Sequence, residues 1–384
     1  MPRLSPSWVL FLGFVSVLVE TTQAESQPHE SLIADSTLTS VFTPFTYSVY
    51  DEATKEWHVR HRFDISRVQM KSLAFFGPVQ YDSLFNLTGL KCDTSAFFLG
   101  ARFHGEFVIE SSEFSQQVSF YFVSFDTTAV FFQVHFKKRV DFSDSKWGGD
   151  VLFWDVTLPD TMEFRKVRKI AEEIDLTAVN KPENGQRCLI DVTGSDISKI
   201  RLNMNAFQLW FKDSLTFDNK SSIYEKELLT LKNDGFMDSY RALDIDYQRL
   251  KYENGGWFDK YLISNTQCLW WNYGYRKEWI LLWSFAFLFL LSVANWWFFP
   301  KLYAIYPILS VGSLGQDELV GRKWIFVLQV VSYTAIIFFG LKLDISNIQR
   351  DAVWQHPIAF TYLLFIYVLG LVCLGFIANL ILAR

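Results

Sequence analysis

The chain has 384 residues, half of them hydrophobic and 18% aromatic, with 38 Phe and 14 Trp. Charged residues make up 20%, the net charge is -5, and mean hydropathy is slightly positive. Such a composition excludes a disordered chain, a disulfide-stapled miniprotein and a basic nucleic-acid binder, and it describes a globular body joined to membrane spans.

Residues 1–24 read as a secretory signal peptide. Arg3 supplies the positive charge, Trp8 to Val19 form an uncharged apolar stretch, and Thr22-Gln23-Ala24 offers small residues at a cleavage site. That stretch is too short to cross a bilayer, which needs about 20 apolar residues. Cleaved or retained, the leader places the adjoining domain on the exported side. Residues 25–56 are expected to form an N-terminal segment or cap.

A repeat occupies the next hundred residues. Large residues stand at Val59, Ile65, Met70, Phe76, Tyr81, Leu87, Cys92, Phe98, Phe103 and Ile109, then at Phe114, Phe120, Phe125, Phe131, Phe136, Phe142, Trp147, Phe153, Leu158 and Phe164. The steps alternate six and five. A smaller residue lies two places earlier in most units, as at Ala74, Val79, Ala96, Ala101, Ser112, Val118, Val123 and Ala129. Positions i and i−2 share a side of an extended chain. Each unit is therefore a short extended segment with two inward side chains, followed by a corner. Four segments close a square coil of about 22 residues, and five coils stacked at roughly 4.8 Å make a rod of about 24 Å. A right-handed coiled coil also has a period of eleven. Phe, Val, Thr, Ser and Gly dominate here, however, and Pro78 and Gly148-Gly149 interrupt any helix.

A central Phe or Leu with a small residue two before it resembles the pentapeptide-repeat family, in particular its Phe-rich branch with alternating five- and six-residue spacing. The resemblance implies a right-handed quadrilateral β-helix. It continues through Ile190-Asp191-Val192, Ser195-Asp196-Ile197 and Ile200-Arg201-Leu202 and ends near Phe207, so the β-solenoid is expected over 57–210. Residues 166–185 depart from the pattern and are expected to be a short helix and loop inserted in the wall.

Helical periodicity marks a juxtamembrane neck, 221–275. Ile223, Leu228, Leu229 and Leu231 suit one helix ended by Gly235, and Phe236, Tyr240, Leu243, Tyr247 and Leu250 suit a second. The transmembrane domain is 279–384, with spans at 279–299, 324–341 and 358–382, none holding a charge in its interior and with Trp residues near their ends. Three crossings after an exported N-terminus leave Arg384 in the cytoplasm. Lys301, Arg322 and Lys323 then lie inside and Lys342 and Arg350 outside, while Arg276 and Lys277 run against the positive-inside rule. A solenoid, a helical neck and membrane spans together resemble bacterial pentapeptide-repeat membrane proteins.

No catalytic signature is present: GxSxG, HExxH, CxxC, Walker A and dinucleotide-binding glycine motifs are all missing, so no catalytic, cofactor or metal residue is assigned and no enzyme is expected. His58 and His61 fall off the inward phase and are expected on the surface, as are His104 and His135. Cys92 occupies an inward position, and a disulfide between Cys188 and Cys268 stays open. Asn86-Leu87-Thr88 and Asn219-Lys220-Ser221 match glycosylation sequons. Val59 to Phe164 carries 13 acidic and 10 basic residues, too nearly balanced for a mimic of duplex DNA. Residues 333–343 with Gly370 to Gly375 are faintly similar to a pore helix and inner helix, without a filter sequence between them. Asn295, Gln329, Ser332, Thr334 and Asn379 read as interhelical hydrogen-bonding groups. The function expected is binding or scaffolding at the exported (periplasmic or extracellular) face of a membrane. Protein partners would dock on the solenoid faces and no nucleic acid is bound; the alternative is an ion-channel or transporter subunit regulated by the solenoid. Outward Arg102, His104, Lys137, Lys138 and Arg139 are expected to tolerate change.

Overall fold

Every one of the twenty large residues on the five-and-six phase, Val59 through Phe164, is at most 3% exposed. The smaller residues two places earlier are buried with them. The computed structural model describes residues 33–34, 37–38, 42–212, 215–307, 323–340 and 348–382; the expected leader lies outside them. Two compact units divide the chain, Met1–Tyr247 and Gln248–Arg384.

The first unit is a four-walled β-solenoid of about seven turns. Among the described residues its first wall holds eight strands, from Ile33–Ala34 to Ile200–Leu202, and the other three hold seven each. Strands pair in parallel with a 22-residue register, Phe63 to Phe85 to Phe107 to Ala129. Like therefore stacks on like. Phe76, Phe98, Phe120 and Phe142 form one column with ring centroids 4.5, 4.5 and 4.8 Å apart. Tyr81, Phe103, Phe125 and Trp147 form another. A third column, Phe63, Phe85 and Phe107, stands two places before the expected ring position. Where it ends, bulk changes places within the strand: Phe107 and Ile109 give way to Ala129 and Phe131, which keeps the interior filled.

The corners explain the alternating stride. A five-residue step turns tightly through one residue in the left-handed region, at Arg67, Gly89, Ser111, Gln133 and Asp155 on one edge and at Gly100, Phe122, Asp144 and Lys166 on another. Each N–H of the first series donates to the next coil, for instance Ser111 to the Phe132 carbonyl at 2.9 Å. Six-residue steps need no such residue and turn more widely.

Two expectations change. Residues 25–56 contribute strands to the first coil, Ile33–Ala34 and Thr37–Leu38, and Val49–Asp51 with Glu56–Val59 forms an antiparallel hairpin on the fourth wall. Residues 166–185 are not a helix and loop. They carry the strands Lys169–Ile170, Ile174–Leu176 and Val179–Asn180, each in its wall. One extra residue pairs Trp147 with Ile170 rather than with residue 169, so the phase slips while the coil continues. The added length that remains is the loop before Cys188–Asp191.

Helices α1 (Phe217–Asn233) and α2 (Met237–Glu253) come after the last strand, Phe207–Leu209. Thr216 caps α1 by accepting the Asn219 N–H. Arg187 donates to both Asp246 oxygens at 2.7 and 3.0 Å, Ser239 accepts the Met204 N–H, and Lys226 pairs with Asp196, which together hold both helices to the final coils. Their buried face is Tyr224, Glu227, Leu228 and Leu231 with Leu243 and Tyr247; the expected Leu229 and Phe236 face outward.

The second unit contains α3 (Ser264–Trp271), α4 (Trp279–Ile305), α5 (Lys323–Phe338), α6 (Arg350–Gln355) and α7 (Pro357–Leu382). Two of these, α4 and α7, are long and apolar enough to cross a membrane; the apolar part of α5, Phe326–Phe338, is shorter. Leu282, Phe285 and Phe289 on α4 are each about two-thirds exposed, which suits lipid and not water. The interior joins Leu302, Tyr333, Ile337, Leu363 and Ile366. Asn295 donates to the Thr334 hydroxyl at 2.8 Å, and the Tyr333 hydroxyl donates to the Leu302 carbonyl. Among the described residues the side chains of Gln329, Ser332 and Asn379 make no such bond.

Candidate functional site

Because the solenoid is filled with rings, its chemistry lies on the outer walls. Outward positions repeat every coil, so side chains of like register form columns about 4.8 Å apart along the rod. Sequence reasoning placed Arg102, His104, Lys137, Lys138 and Arg139 outward, and Arg102 and Lys138 are indeed exposed. The other three are half-buried in ion pairs. His104 meets Asp126 at 2.7 Å, Lys137 meets Glu113 at 2.8 Å, and Arg139 pairs with Glu163.

His58 departs from its expected surface place. The hairpin of the first coil covers it, and its Nδ1 lies 3.1 Å from Asp82 while Nε2 contacts the Thr54 hydroxyl. His61 and His135 are exposed. Among the described residues no group of three or more His, Cys, Asp or Glu is placed to hold a metal. All four cysteines are free: Cys92, Cys188 and Cys373 are buried and Cys268 half-buried. Burial pushes the Cys92 and Cys188 thiols up, away from thiolate reactivity.

Toward the end of the third wall lies a compensated charge network. Glu163 and Asp191 occupy the same outward register yet are buried. Lys212 donates its Nζ to Glu163 and its backbone N–H to Asp191, Arg139 and Arg165 pair with them, and Thr193 donates two bonds to Asp191. Partners saturate both carboxylates, so this cluster ties the chain leaving the last strand to the wall.

A groove of about 330 Å³ runs along the corner between the third and fourth walls. Five successive rungs line it: the hairpin tip with Lys55, Glu56 and Trp57, then Pro78–Gln80, Gly100–Arg102, Phe122–Ser124 and, on the last, Asp144 with Lys146. Pro78 and Phe122 project at the tight corner, and Gly100 between them, at φ +68°, leaves a notch. Phe122 is 50% exposed, with the Arg168 guanidinium 4.5 Å from its ring centroid. Arg168 also reaches Asp144 at 3.4 Å. Burial, helped by the Asp144 carboxylate, pushes the Tyr121 phenol up. Lys55, Arg102 and Lys146 make no ion pair among the described residues.

A second feature is apolar. On the first wall Leu152 and Trp154 are 48% and 67% exposed, in register with Val130 and Phe132. Sequence reasoning singled out neither feature. The signal that could have found them was large apolar residues off the inward phase: Tyr121, Phe122, Phe132, Leu152 and Trp154 all stand on outward or corner positions. In comparisons with family models, with curated proteins and with solved structures, nothing matched this chain.

Proposed function

We propose that this chain is a membrane-anchored, pentapeptide-repeat-like solenoid of the Phe-rich kind that acts as a binding or scaffold module. A secretory leader at 1–24, a third crossing completed by 324–341 and a solenoid on the exported face belong to the same proposal. The observation that carries the function is the division of labour in the repeat: the interior is filled by stacked rings, while the outward columns differ from coil to coil and present the groove and the Trp154 face. A filled rod offers recognition area, not an interior site. No convergent acid, base and nucleophile stands among the described residues on these walls, and this favours binding over catalysis. The reading of a channel or transporter subunit has less in its favour, because α5 and α7 touch at Gly370, where even a Cβ would lie 1.6 Å from the Phe338 carbonyl oxygen.

Photocrosslinking side chains placed at Lys138, Ser124 and Leu152 of the full chain in native membranes test this reading. Discrete adducts from at least one wall are expected. Absence of adducts from all three would remove the binding-module reading.

A further inference from the structure

We propose that the corner groove binds an extended anionic saccharide carrying its carboxylates or sulfates on alternate sugars. This deepens the reading of the solenoid as a binding module and rests on it. The first support is the spacing of charge. In the outward column of the fourth wall the order is Gln80, Arg102, Ser124 and Lys146, in register from coil to coil. Within the groove's lining, cations thus occupy every second coil, about 9.6 Å apart along the rod at about 4.8 Å per coil, while Lys169 follows Lys146 in the next coil, beyond the lining. Lys55, on the hairpin ahead of Gln80, adds a third at the groove's end. None of the three has an ion-pair partner among the described residues, so their charge is available to a ligand.

The second support is the apolar floor. Trp57 and Phe122 are 37% and 50% exposed, and Pro78 projects between their rungs. Flat faces of this kind receive the C–H face of a pyranose ring, and one coil's rise is comparable with one sugar's length in an extended chain. The Gly100 notch admits the ring where a side chain would close the path.

Other ligands fit less well. A peptide added as a strand needs free backbone N–H and C=O groups, yet the strands at this corner are paired on both sides. A polyphosphate chain needs charge at every step, whereas here Glu56 and Asp144 line the groove and Asp82 and Asp126 stand beside the cation column. Asp144 is already engaged by Arg168, so the three cations outnumber the one remaining groove carboxylate, Glu56.

The test uses the full chain in lipid nanodiscs and a hyaluronan oligosaccharide, which bears a carboxylate on every second sugar, with dextran as the neutral control. Oligo-dT and polyglutamate represent the other two ligand classes. Saturable binding of hyaluronan or a sulfated counterpart, weakened by salt and absent for dextran, is expected. Arg102→Ser with Lys146→Ser, both exposed and structurally undemanding, should weaken it at least about tenfold, or about 1.4 kcal/mol. Arg102→Lys should keep affinity within about threefold, because the charge is retained. Phe122→Ser should weaken binding about tenfold with an unchanged salt dependence, since it removes stacking and not charge. No saccharide binding, equal binding by the double variant, or tighter binding of oligo-dT or polyglutamate at this groove would overturn the inference. Wall adducts that persist without saccharide binding would sink this inference alone, whereas loss of both would sink the binding-module reading as well.

Discussion

Gly89 and Gly105 show how differently one residue type serves a coil. Gly89 sits in the left-handed region at φ +65°, and a Cβ there would meet only the Arg67 side chain and backbone at 3.5–3.6 Å. Ser111, Gln133 and Asp155 occupy the same corner in later coils, so side chains are tolerated at a backbone cost of about 1–2 kcal/mol. Gly105 has an ordinary backbone, but a Cβ would stand 2.4 Å from the Ser83 backbone. Gly89→Ala should therefore lower stability by about 1 kcal/mol and Gly105→Ala by several times more, read from urea denaturation of the full chain. The converse change, Ser111→Gly, should stabilise by up to about 1 kcal/mol, because the relief of strain exceeds the added unfolded-state entropy.

Glu227 is buried on α1, and neither carboxylate oxygen has a hydrogen-bond partner among the described residues. Burial, reinforced by Asp234, pushes its pKa up to about 8. The folded form thus holds the proton more tightly than the unfolded chain. Its contribution is fully present below about pH 4.5 and is lost as pH rises through about 8. Denaturation profiles of the full chain at pH 5 and pH 8 should show Glu227→Gln stabilising far more at the higher pH, on the order of 3 kcal/mol. Equal effects at both values would mean the carboxyl is paired or hydrated. Within the solenoid the comparable unit is the ring column. Phe120 stacks between Phe98 and Phe142 and is fully buried. Phe120→Ala should cost about 3–5 kcal/mol, whereas Lys138→Ala on the outer wall should stay within about 0.5 kcal/mol. Arg139→Ala should cost more than Lys138→Ala, since it strips a partner from buried Glu163.

The two units distribute their apolar residues differently. The solenoid turns its apolar residues inward, while α4 and α7 leave large apolar side chains exposed over most of their length. The second arrangement is the one a lipid environment favours, and α4 and α7 are long and apolar enough to cross a membrane. The full chain should stay with the membrane pellet after alkaline carbonate extraction. On the proposed topology, protease added to the exported side should reach the loop at 181–187, while the C-terminal end of α7 should be cut only after the membrane is opened. Digestion of both ends from one side would refute three crossings.

Much of this was legible in the linear order of residues, for a physical reason. Each five- or six-residue unit must place one large side chain inside, so the ring phase from Val59 to Phe164 announces itself without any long-range information. The apolar runs of α4 and α7 are equally local, because the length and composition that a membrane crossing needs are properties of consecutive residues. Folding decided what depends on neighbours 22 or more residues away. The single-residue slip before Ile170 disguised three strands as an insertion, since strand pairing tolerates an extra corner residue and a periodicity does not. His58 is held by Asp82 of the next coil, and Glu163 is closed over by Lys212, 49 residues further along the chain. The corner groove depends on the same stacking: Trp57, Arg102, Phe122 and Lys146 acquire a shared surface only when successive coils bring them side by side.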